Sequence, residues 1–237
     1  MKNYLSNIDK KLLDQIKIIG READACKISA YLVGGAVRDV LLKKGNLDID
    51  VVVEADATQF AKYLSTQLKT KLSVYKKYKT ASLILTKDAR IDLTTARTET
   101  FERSGAQPVV EEAKLEDDLF RRDITINAMA IVINKHNFGR LIDIFGGRND
   151  LKLKKIRILH NQSFQDDPTR ILRVIRFEQR FNFRIEHKTM RLLNEAIENK
   201  LLNNAQKSRY AYELKKISTE VNSKKCLKRL NQLGVAL

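Results

Sequence analysis

Residues 31–53 read YLVGGAVRDVLLKKGNLDIDVVV, and this stretch decides the fold of the N-terminal part of the chain. The apolar run Tyr31–Val33 predicts a short buried strand that ends at Gly34 and Gly35. A short helix over Val37–Lys43 is predicted next, followed by a β-branched strand in DIDVVVE (48–54). A strand, a glycine turn, a helix and a second strand together indicate an α/β or α+β unit around a sheet.

Two aspartates, Asp48 and Asp50, lie two positions apart in the second strand. Side chains two apart on a strand point to the same face, so both carboxylates are candidate ligands for a hard cation such as Mg²⁺. Asp92, in the strand-like run RIDLTT (90–95), has similar apolar neighbours and is a candidate third carboxylate. The alternative interpretation is that these aspartates only mark the ends of buried strands.

The glycine pair before Asp48 and Asp50 favours the metal interpretation. Gly34 and Gly35 allow backbone N–H groups to approach a phosphate closely, and the start of a helix adds a favourable dipole. Arg38, in the first helical turn, is placed to reach the same anion. Nucleotidyl transfer needs this combination, because one element holds the triphosphate and the other holds two metal ions.

Periodicity separates a mixed region from a helical one. Helices are predicted near 8–28 and over 57–68, and strands in KLSVYKK, ASLILT and RIDLTT. Residues 97–118 have no sustained period, which predicts a functional or mobile segment without regular structure. From residue 166 onward the pattern predicts four successive helices with basic faces. We therefore predict an α+β fold, with a small mixed sheet in residues 1–150 followed by an all-α region in residues 151–237.

Charge is unevenly distributed along the chain. The net charge is +16, with 25 basic and 21 acidic residues in 1–150 but 20 basic and 8 acidic residues in 151–237. An excess of this kind predicts a polyanion partner on the C-terminal part, because Lys and Arg contacts release counterions from phosphates. A solvated surface that favours solubility is the alternative.

Other classes are disfavoured by composition. No apolar run approaches the roughly 20 residues that span a membrane. The first 20 residues form an amphipathic pattern without the apolar block of a secretory signal. Cys26 and Cys226 fit no zinc or redox spacing, which is typical of a reduced, cytoplasmic protein.

The segment LFRRDITINAMAI (119–131) is a second candidate for phosphate binding. The adjacent Arg121 and Arg122 suit bidentate contacts to phosphate, and Asp123 is a candidate acceptor for a ribose hydroxyl. These residues are predicted at the start of an amphipathic segment whose core positions are 124, 126 and 128. Surface arginines at a charged helix start are the alternative.

The segment QDDPTRILRVIRF (165–177) predicts a helix with Asp167 at the N-cap and Pro168 at the first helical position. Arg170, Arg173 and Arg176 recur every three residues and predict one basic stripe. Asp167 and Arg170 together suit cytosine or adenine, since both bases present an exocyclic amine beside a ring-nitrogen acceptor. Capping alone is the alternative role for Asp167.

Four stretches in this order resemble the class II tRNA nucleotidyltransferases, which are the CCA-adding enzymes and their bacterial poly(A) polymerase relatives. They are LVGGAVRD…DID (32–50), RRDITINAMA (121–130), LIDIFGGRNDL (141–151) and DDPTRILRVIRF (166–177). ARTETFERSGAQP (96–108) is similar to the family's flexible loop. AQKSRYAYEL (205–214) is similar to its last motif, through Arg209 and Glu213.

The resemblance implies a role for each matching residue. Asp48 and Asp50 are implied to be the catalytic carboxylates that bind two Mg²⁺ ions. Asp167 and Arg170 are implied to form the amino-acid template that pairs with CTP or ATP; the motif usually begins Glu-Asp, and here it is Asp166-Asp167. The full implied nucleotide-binding set is Gly34, Gly35, Arg38, Arg121, Arg122, Asp123, Asn127, Asp167, Arg170, Arg173 and Arg176.

The resemblance also implies a function. Residues 1–150 would form the catalytic head, and 151–237 the helical neck with the start of an RNA-binding body. The expected reaction adds C, A or both to the 3′ end of tRNA from CTP and ATP. The alternatives are a poly(A) polymerase, a specialised A-adding or CC-adding enzyme, and a non-catalytic RNA-binding module.

The body and tail of the family extend beyond the length of this chain. We expect one of three explanations: the basic C-terminal helices compensate, a partner chain or oligomer contributes to tRNA binding, or the sequence is truncated.

Overall fold

The computed structural model describes residues 2–6, 8–44, 49–86 and 89–235. The chain divides into two compact units, and three segments contribute to each of them. The first unit contains Met1–Thr98, Val110–Arg121 and Asn127–Arg148. The second contains Glu99–Val109, Arg122–Ile126 and Asn149–Leu237. The assignment of 1–150 to a catalytic head and of 151–237 to a neck and body stays a prediction.

The first unit combines helices with a sheet. Its elements up to residue 95 are α1 (Lys10–Ala25), β1 (Ala30–Val33), α2 (Gly35–Leu41), β2 (Ile49–Val53), α3 (Ala57–Leu68), β3 (Lys71–Tyr75), a 3₁₀ turn (Lys76–Tyr78), β4 (Thr80–Thr86) and β5 (Ala89–Thr95). The next elements are β6 (Arg97–Thr100), β7 (Val109–Glu112), α4 (Leu115–Phe120), a 3₁₀ turn (Thr125–Asn127), β8 (Ala130–Val132) and β9 (Leu141–Ile142). Of these, β6, β7 and the 3₁₀ turn have residues in both units.

Within the described ranges, seven strands form one mixed sheet in the order β3-β4-β5-β2-β1-β8-β9. The β2–β5 pair is parallel, and the other neighbours are antiparallel. Strands β6 and β7 form a separate two-stranded sheet. The predicted α+β class with a small mixed sheet is therefore confirmed.

The central strand β2 is buried on both faces. Val51 and Val53 pack into a cluster that includes Ile16 of α1 and Phe60 of α3. Val52 points the other way, into a smaller cluster with Leu119 of α4. Because successive side chains of a strand alternate between faces, a continuous β-branched run is what a strand covered on both sides requires.

The second unit is mainly helical. Its elements are α5 (Gly147–Lys152), which begins in the first unit, β10 (Lys155–Ile156), α6 (Ser163–Asp166), α7 (Arg170–Phe181), β11 (Arg184–Ile185), α8 (His187–Glu198), a 3₁₀ turn (Leu201–Asn204), α9 (Lys207–Ser218) and α10 (Ser223–Gln232). The strands β10 and β11 form a short parallel pair. Helices α7 to α10 confirm the four helices predicted after residue 166. None of the helices in the described ranges is long and apolar enough to cross a membrane.

Two local predictions are wrong. The segment 97–118 contains β6, β7 and α4, although it was predicted to lack regular structure. These are elements of four to six residues, and β6 and β7 are mostly half-buried or exposed, so they carry no apolar period.

The N-cap of α7 is Thr169, not Asp167, and the helix begins at Arg170. Asp167 instead accepts hydrogen bonds from Thr169, in a turn that precedes the helix.

Candidate active site

Asp50 and Asp92 lie side by side on the sheet of the first unit. The parallel register of β2 and β5 pairs Asp50 with Asp92, and Val51 with Leu93. Residues paired in this way point to the same face of the sheet, and neighbouring strands lie about 4.8 Å apart, so the two carboxylates are close together. That face is the one shared with Val52, opposite the cluster that contains α1 and α3. The structure thus places two of the three predicted carboxylates together.

The carboxylate of Asp92 already has two partners within the sheet. Its carboxylate accepts a hydrogen bond from the Ser82 hydroxyl on β4. It also forms an ion pair with Arg90, with 2.7 Å between Nη2 and Oδ2. Asp92 is therefore positioned by its own strand neighbours beside Asp50.

The residues available to hold a metal ion fit magnesium chemically. Mg²⁺ is usually held by one or two carboxylates together with substrate phosphates and water. Asp50 and Asp92 supply carboxylate oxygens, and Asp48 lies outside the described residues. In the described part of the chain, no group of three or more His, Cys, Asp or Glu side chains is gathered as a metal site. The Asp48 and Asp50 pair stays a prediction.

The turn between β1 and α2 needs glycine at position 34. Gly34 is the N-cap of α2 and has φ 67° and ψ −132°, a conformation that side chains disfavour. Helix α2 starts at Gly35, two residues earlier than predicted, because this turn leads directly into it. A Cβ atom on Gly35 would lie 3.3 Å from Nη2 of Arg38, so a small residue is favoured there too.

Arg38 has a structural contact that the sequence did not indicate. Its side chain is buried, and Nε and Nη2 donate to the two carboxylate oxygens of Asp39 at 3.0 and 2.9 Å. Nη1 donates to Oδ1 of Asn127 at 2.6 Å. Arg38 therefore connects α2 to the segment that leads into β8. Phosphate binding by Arg38 and by Asn127 stays a prediction.

The predicted Arg-Arg-Asp motif is divided between the two units. Arg121 is the C-cap of α4 and donates from Nη2 to Oδ1 of the fully buried Asp118 at 2.6 Å. Arg121 ends a helix, so the alternative interpretation of a charged helix start is wrong. The chain turns there because Ile124 and Ile126 enter the core. The second unit contains Arg122 and Asp123.

Asp123 is the first carboxylate of an ion-pair network in the second unit. Its Oδ2 accepts from Nε and Nη2 of Arg173 at 2.9 and 2.7 Å. Arg173 also donates to Glu213 of α9 at 2.7 Å, and Glu213 pairs with Arg176 at 3.4 Å. Burial alone would lower the pKa of Arg173, but the charges of Asp123 and Glu213 outweigh it and raise that pKa.

This network changes the interpretation of the arginines on α7. Arg170, Arg173 and Arg176 were predicted to form one basic stripe, but Arg170 and Arg176 are buried. Arg173 and Arg176 are compensated by carboxylates of other elements. The three arginines therefore do not form an exposed basic surface, because other elements contribute acids that the local spacing does not show. Nucleotide binding by these residues stays a prediction.

Asp167 lies at the wall of a cavity of about 360 Å³. Its Oδ1 accepts from the N–H and hydroxyl of Thr169 at 3.1 and 2.6 Å. Its Oδ2 accepts from Nη2 of Arg209 on α9 at 2.5 Å. The cavity is lined by Asp167, Thr169, Arg173, Ser208, Arg209, Tyr212 and Glu213.

Two arginines accompany Asp167. Arg170 is buried and donates to Oγ of Ser163 at 2.8 Å. Burial lowers its pKa, and the charge of Asp167 acts in the opposite direction. Nη1 of Arg209 is buried without a hydrogen-bond partner among the described residues. The Asp167–Arg209 pair was not predicted, although the match of 205–214 to the last family motif pointed to Arg209.

A family model described as the poly(A) polymerase head domain matches residues 30–157, more than half of the chain. The chain belongs to this family. The match spans the sheet with Asp50 and Asp92, the Gly34 turn and the Arg-Arg-Asp segment.

Several curated relatives of this chain are A-adding tRNA nucleotidyltransferases. That of Aquifex aeolicus is 47% identical over 188 residues, which is 79% of this chain and 23% of the relative. That of Geobacter sulfurreducens is 38% identical over 97% of this chain and 26% of the relative. That of Halalkalibacterium halodurans is 38% identical over 99% of this chain and 55% of the relative. The chain thus spans about half the length of these relatives or less.

Solved structures of CCA-adding enzymes share the fold of this family member. An apo form has a TM-score of 0.92 and 47% identity, over 99% of this chain and 57% of that one. A complex with ATP has a TM-score of 0.88 and 46% identity, with 99% and 55% coverage. A Thermotoga maritima enzyme complexed with tRNA has a TM-score of 0.85 and 45% identity, with 99% and 55% coverage.

Proposed function

We propose that this chain carries the nucleotidyl-transfer and base-selection part of a tRNA nucleotidyltransferase, which adds A, C or both to the tRNA 3′ end. The observation that carries the proposal is the position of Asp50. Its carboxylate lies beside Asp92 on a sheet whose first strand ends in the Gly34 turn, in a member of the poly(A) polymerase head-domain family. The similarity of nearly the whole chain to A-adding and CCA-adding enzymes supports tRNA as the acceptor.

The proposed reaction transfers a nucleotidyl group. The 3′-hydroxyl oxygen of the tRNA forms a bond to the α-phosphorus of ATP or CTP, the bond to the bridging oxygen breaks, and pyrophosphate leaves. The hydroxyl proton passes to a nearby base or to solvent. Asp48 and Asp50 are the proposed holders of two Mg²⁺ ions, with Asp92 beside them; the ions, when bound, would activate the hydroxyl and stabilise the leaving group. The chain itself supplies positioning, through the Gly34 turn and the rigid strands β2 and β5.

Base selection is proposed for the second unit. Asp167 is an acceptor suited to the exocyclic amine of adenine or cytosine, and a guanidinium is a donor suited to the adjacent ring nitrogen. Arg170 is the donor that the resemblance implies, while Arg209 is the one that contacts Asp167 directly. Uracil and guanine present the opposite polarity, so this arrangement would reject them.

The test offers three tRNA substrates, ending before CCA, after C or after CC, to the protein with Mg²⁺. ATP and CTP are supplied separately, and incorporation is followed on denaturing gels. We expect one AMP to be added to the tRNA ending in CC, as the names of the A-adding relatives suggest. CMP addition to the shorter ends would extend the activity to full CCA synthesis.

Two results would contradict the proposal. Long A-tracts on unrelated RNA would favour a poly(A) polymerase, which the family's name keeps as the second candidate. Tight RNA binding by a folded protein, with no incorporation from either nucleotide, would favour a non-catalytic RNA-binding module.

A further inference from the structure

Arg90 holds one oxygen of the Asp92 carboxylate. Nη2 of Arg90 lies 2.7 Å from Oδ2 of Asp92, while Oδ1 accepts the hydrogen bond from the Ser82 hydroxyl. Arg90 and Asp92 are two positions apart on β5, so their side chains point to the same face of the sheet. Asp50, which pairs with Asp92 across the strands, shares that face. A positive side chain therefore lies directly beside the carboxylates that are candidates for metal binding.

The ion pair between Arg90 and Asp92 is one that a divalent cation can displace. The side chain of Arg90 is 64% exposed and that of Asp92 is 30% exposed, and an ion pair in contact with water contributes little net free energy. A guanidinium 2.7 Å from Oδ2 also repels a second cation at that oxygen. A metal ion that binds Asp92 therefore competes with Arg90. The hydrogen bond from Ser82 does not oppose it and can keep the carboxylate in place.

Basic side chains continue from Arg90 across the same face. Ile84 of β4 pairs with Arg90, and Lys71 of the outermost strand β3 pairs with Ile84. Because paired residues point to the same face, two exposed cations flank the exposed Ile84 beside the carboxylates. A guanidinium binds phosphate oxygens in bidentate geometry. Once it leaves Asp92, the side chain of Arg90 is thus suited to a phosphate of a substrate that reaches the metal site.

We propose that Arg90 exchanges partners: it holds Asp92 before metal binding, and it binds a substrate phosphate once a metal ion has taken that carboxylate. The proposal rests on the proposed function and on Asp92 belonging to its metal site. Because metal binding frees Arg90 for the phosphate, metal and substrate should strengthen each other's binding by the same factor. The phosphate belongs to the RNA acceptor strand or to the triphosphate of ATP, and the test treats these two sources separately.

Three variants isolate the charge of Arg90. Arg90→Gln removes it, and Arg90→Lys keeps it. Arg21→Gln is the matched control, because Arg21 is 74% exposed and forms an ion pair of 3.2 Å with Glu22. It lies on α1, which packs against the opposite face of the sheet, away from Asp50 and Asp92. All three changes are at exposed side chains, so the variants should fold like the wild type.

Competition with the metal is measured without substrate. Binding of Mn²⁺, as a paramagnetic substitute for Mg²⁺, is followed by electron paramagnetic resonance. We expect Arg90→Gln to bind Mn²⁺ about threefold more tightly than the wild type, because the repelling charge is gone. Arg90→Lys and Arg21→Gln should bind it as the wild type does. An unchanged Mn²⁺ affinity in Arg90→Gln would overturn the competition.

The exchange is measured with each substrate alone, so that no nucleotide is incorporated. The affinity for tRNA ending in CC, and separately for ATP, is compared with and without Mn²⁺. We expect the gain in affinity that Mn²⁺ produces to be about fivefold smaller in Arg90→Gln than in the wild type for at least one of the two substrates. A smaller gain for tRNA identifies the RNA strand as the source of the phosphate, and one for ATP identifies the triphosphate. Equal gains in both proteins for both substrates would overturn the exchange.

Failure of this proposal is distinguishable from failure of the proposed function. Normal incorporation by the wild type, with equal Mn²⁺ affinity in the wild type and in Arg90→Gln, would overturn the exchange alone. A wild type that binds Mn²⁺ but incorporates neither AMP nor CMP would overturn the proposed function, and the Mn²⁺ affinities would still decide whether Arg90 competes with the metal. A wild type that binds no Mn²⁺ would overturn both.

Discussion

Asp50 is the residue on which the proposed chemistry depends most directly. Asp50→Asn removes one negative charge and leaves the shape of the side chain nearly unchanged. We expect incorporation to fall by a factor of about 100 or more, because the proposed metal loses a charged ligand where transition-state charge must be stabilised. Single-turnover incorporation across a range of Mg²⁺ concentrations measures the loss.

Asp14→Asn is the control for this substitution, since Asp14 is an exposed residue of α1 and the charge change is the same. It should retain wild-type incorporation. Equal activity in the Asp50 and Asp14 variants would refute the metal assignment.

The sequence indicated Asp50 better than it indicated the arginines. The two-residue period of a strand made Asp48 and Asp50 candidates from local spacing, and similar apolar neighbours made Asp92 a candidate third carboxylate. The contact between Arg38 and Asn127 joins residues 89 positions apart. No local pattern contains such a contact, and arginine is equally suited to a phosphate or to a buried amide.

At the scale of elements, α3 shows how a cap couples to pH. Its N-cap, Asp56, accepts from the N–H and hydroxyl of Thr58 at 2.8 and 2.7 Å. The hydrogen bond from the Thr58 hydroxyl is the main reason that the pKa of Asp56 is lowered from 3.8, although partial burial acts the other way. A carboxyl group whose pKa is lowered in the folded state stabilises the protein at pH values above its ordinary pKa. This stabilisation is lost as the pH falls through the lowered value.

Asp56→Ala should therefore destabilise the protein by about 1 kcal/mol at pH 7 and by less below pH 3.8. Asp56→Asn keeps a capping oxygen that does not titrate, so it should match the wild type at pH 7 and lose less stability in acid. Urea unfolding at several pH values measures both differences. A destabilisation by Asp56→Ala that stays constant across this pH range would contradict the role of the carboxylate.

Glu213 joins helices α7 and α9. It is buried and pairs with the half-buried Arg173 and the buried Arg176, so neutralising it leaves two cations with fewer partners. Glu213→Gln should lower the free energy of unfolding by about 3 kcal/mol. Glu195→Gln, in the exposed pair with Arg191, should change it by less than about 0.5 kcal/mol. Equal effects in urea unfolding would show that the network contributes no more than a surface pair.

The elements differ in how well their sequences predicted them. Helix α3 was predicted over its full length, because twelve residues repeat the apolar period against one core. Strands β6 and β7 were missed, because each has four residues and largely polar surroundings. The Arg173 network was missed for a different reason. Its acidic partners come from an earlier turn and from α9, and neither is near α7 in the sequence. The residues around the arginines in the sequence therefore indicate a basic stripe.

For the molecule as a whole, the positive charge is the property on which the affinity for the proposed RNA substrate depends most. Most of the +16 net charge lies in residues 151–237, and helix α10 contains no acidic residue. Lysines that neutralise phosphates release counterions, so RNA affinity should fall steeply between 50 and 200 mM salt. The slope of log affinity against log salt concentration measures the number of phosphate contacts.

Two triple variants test where the contacts lie. Lys224, Lys225 and Lys228 are exposed on α10, and Lys10, Lys11 and Lys17 are exposed on α1. Changing either set to Gln removes three charges from a helix surface. The α10 variant should bind tRNA more weakly and show a shallower dependence on salt, by about 0.7 to 0.9 of slope per lost contact. The α1 variant should bind like the wild type, since net charge alone acts weakly beyond a Debye length of about 10 Å. Identical losses in both variants would mean that the chain attracts RNA through its total charge instead of through a surface on the helical unit.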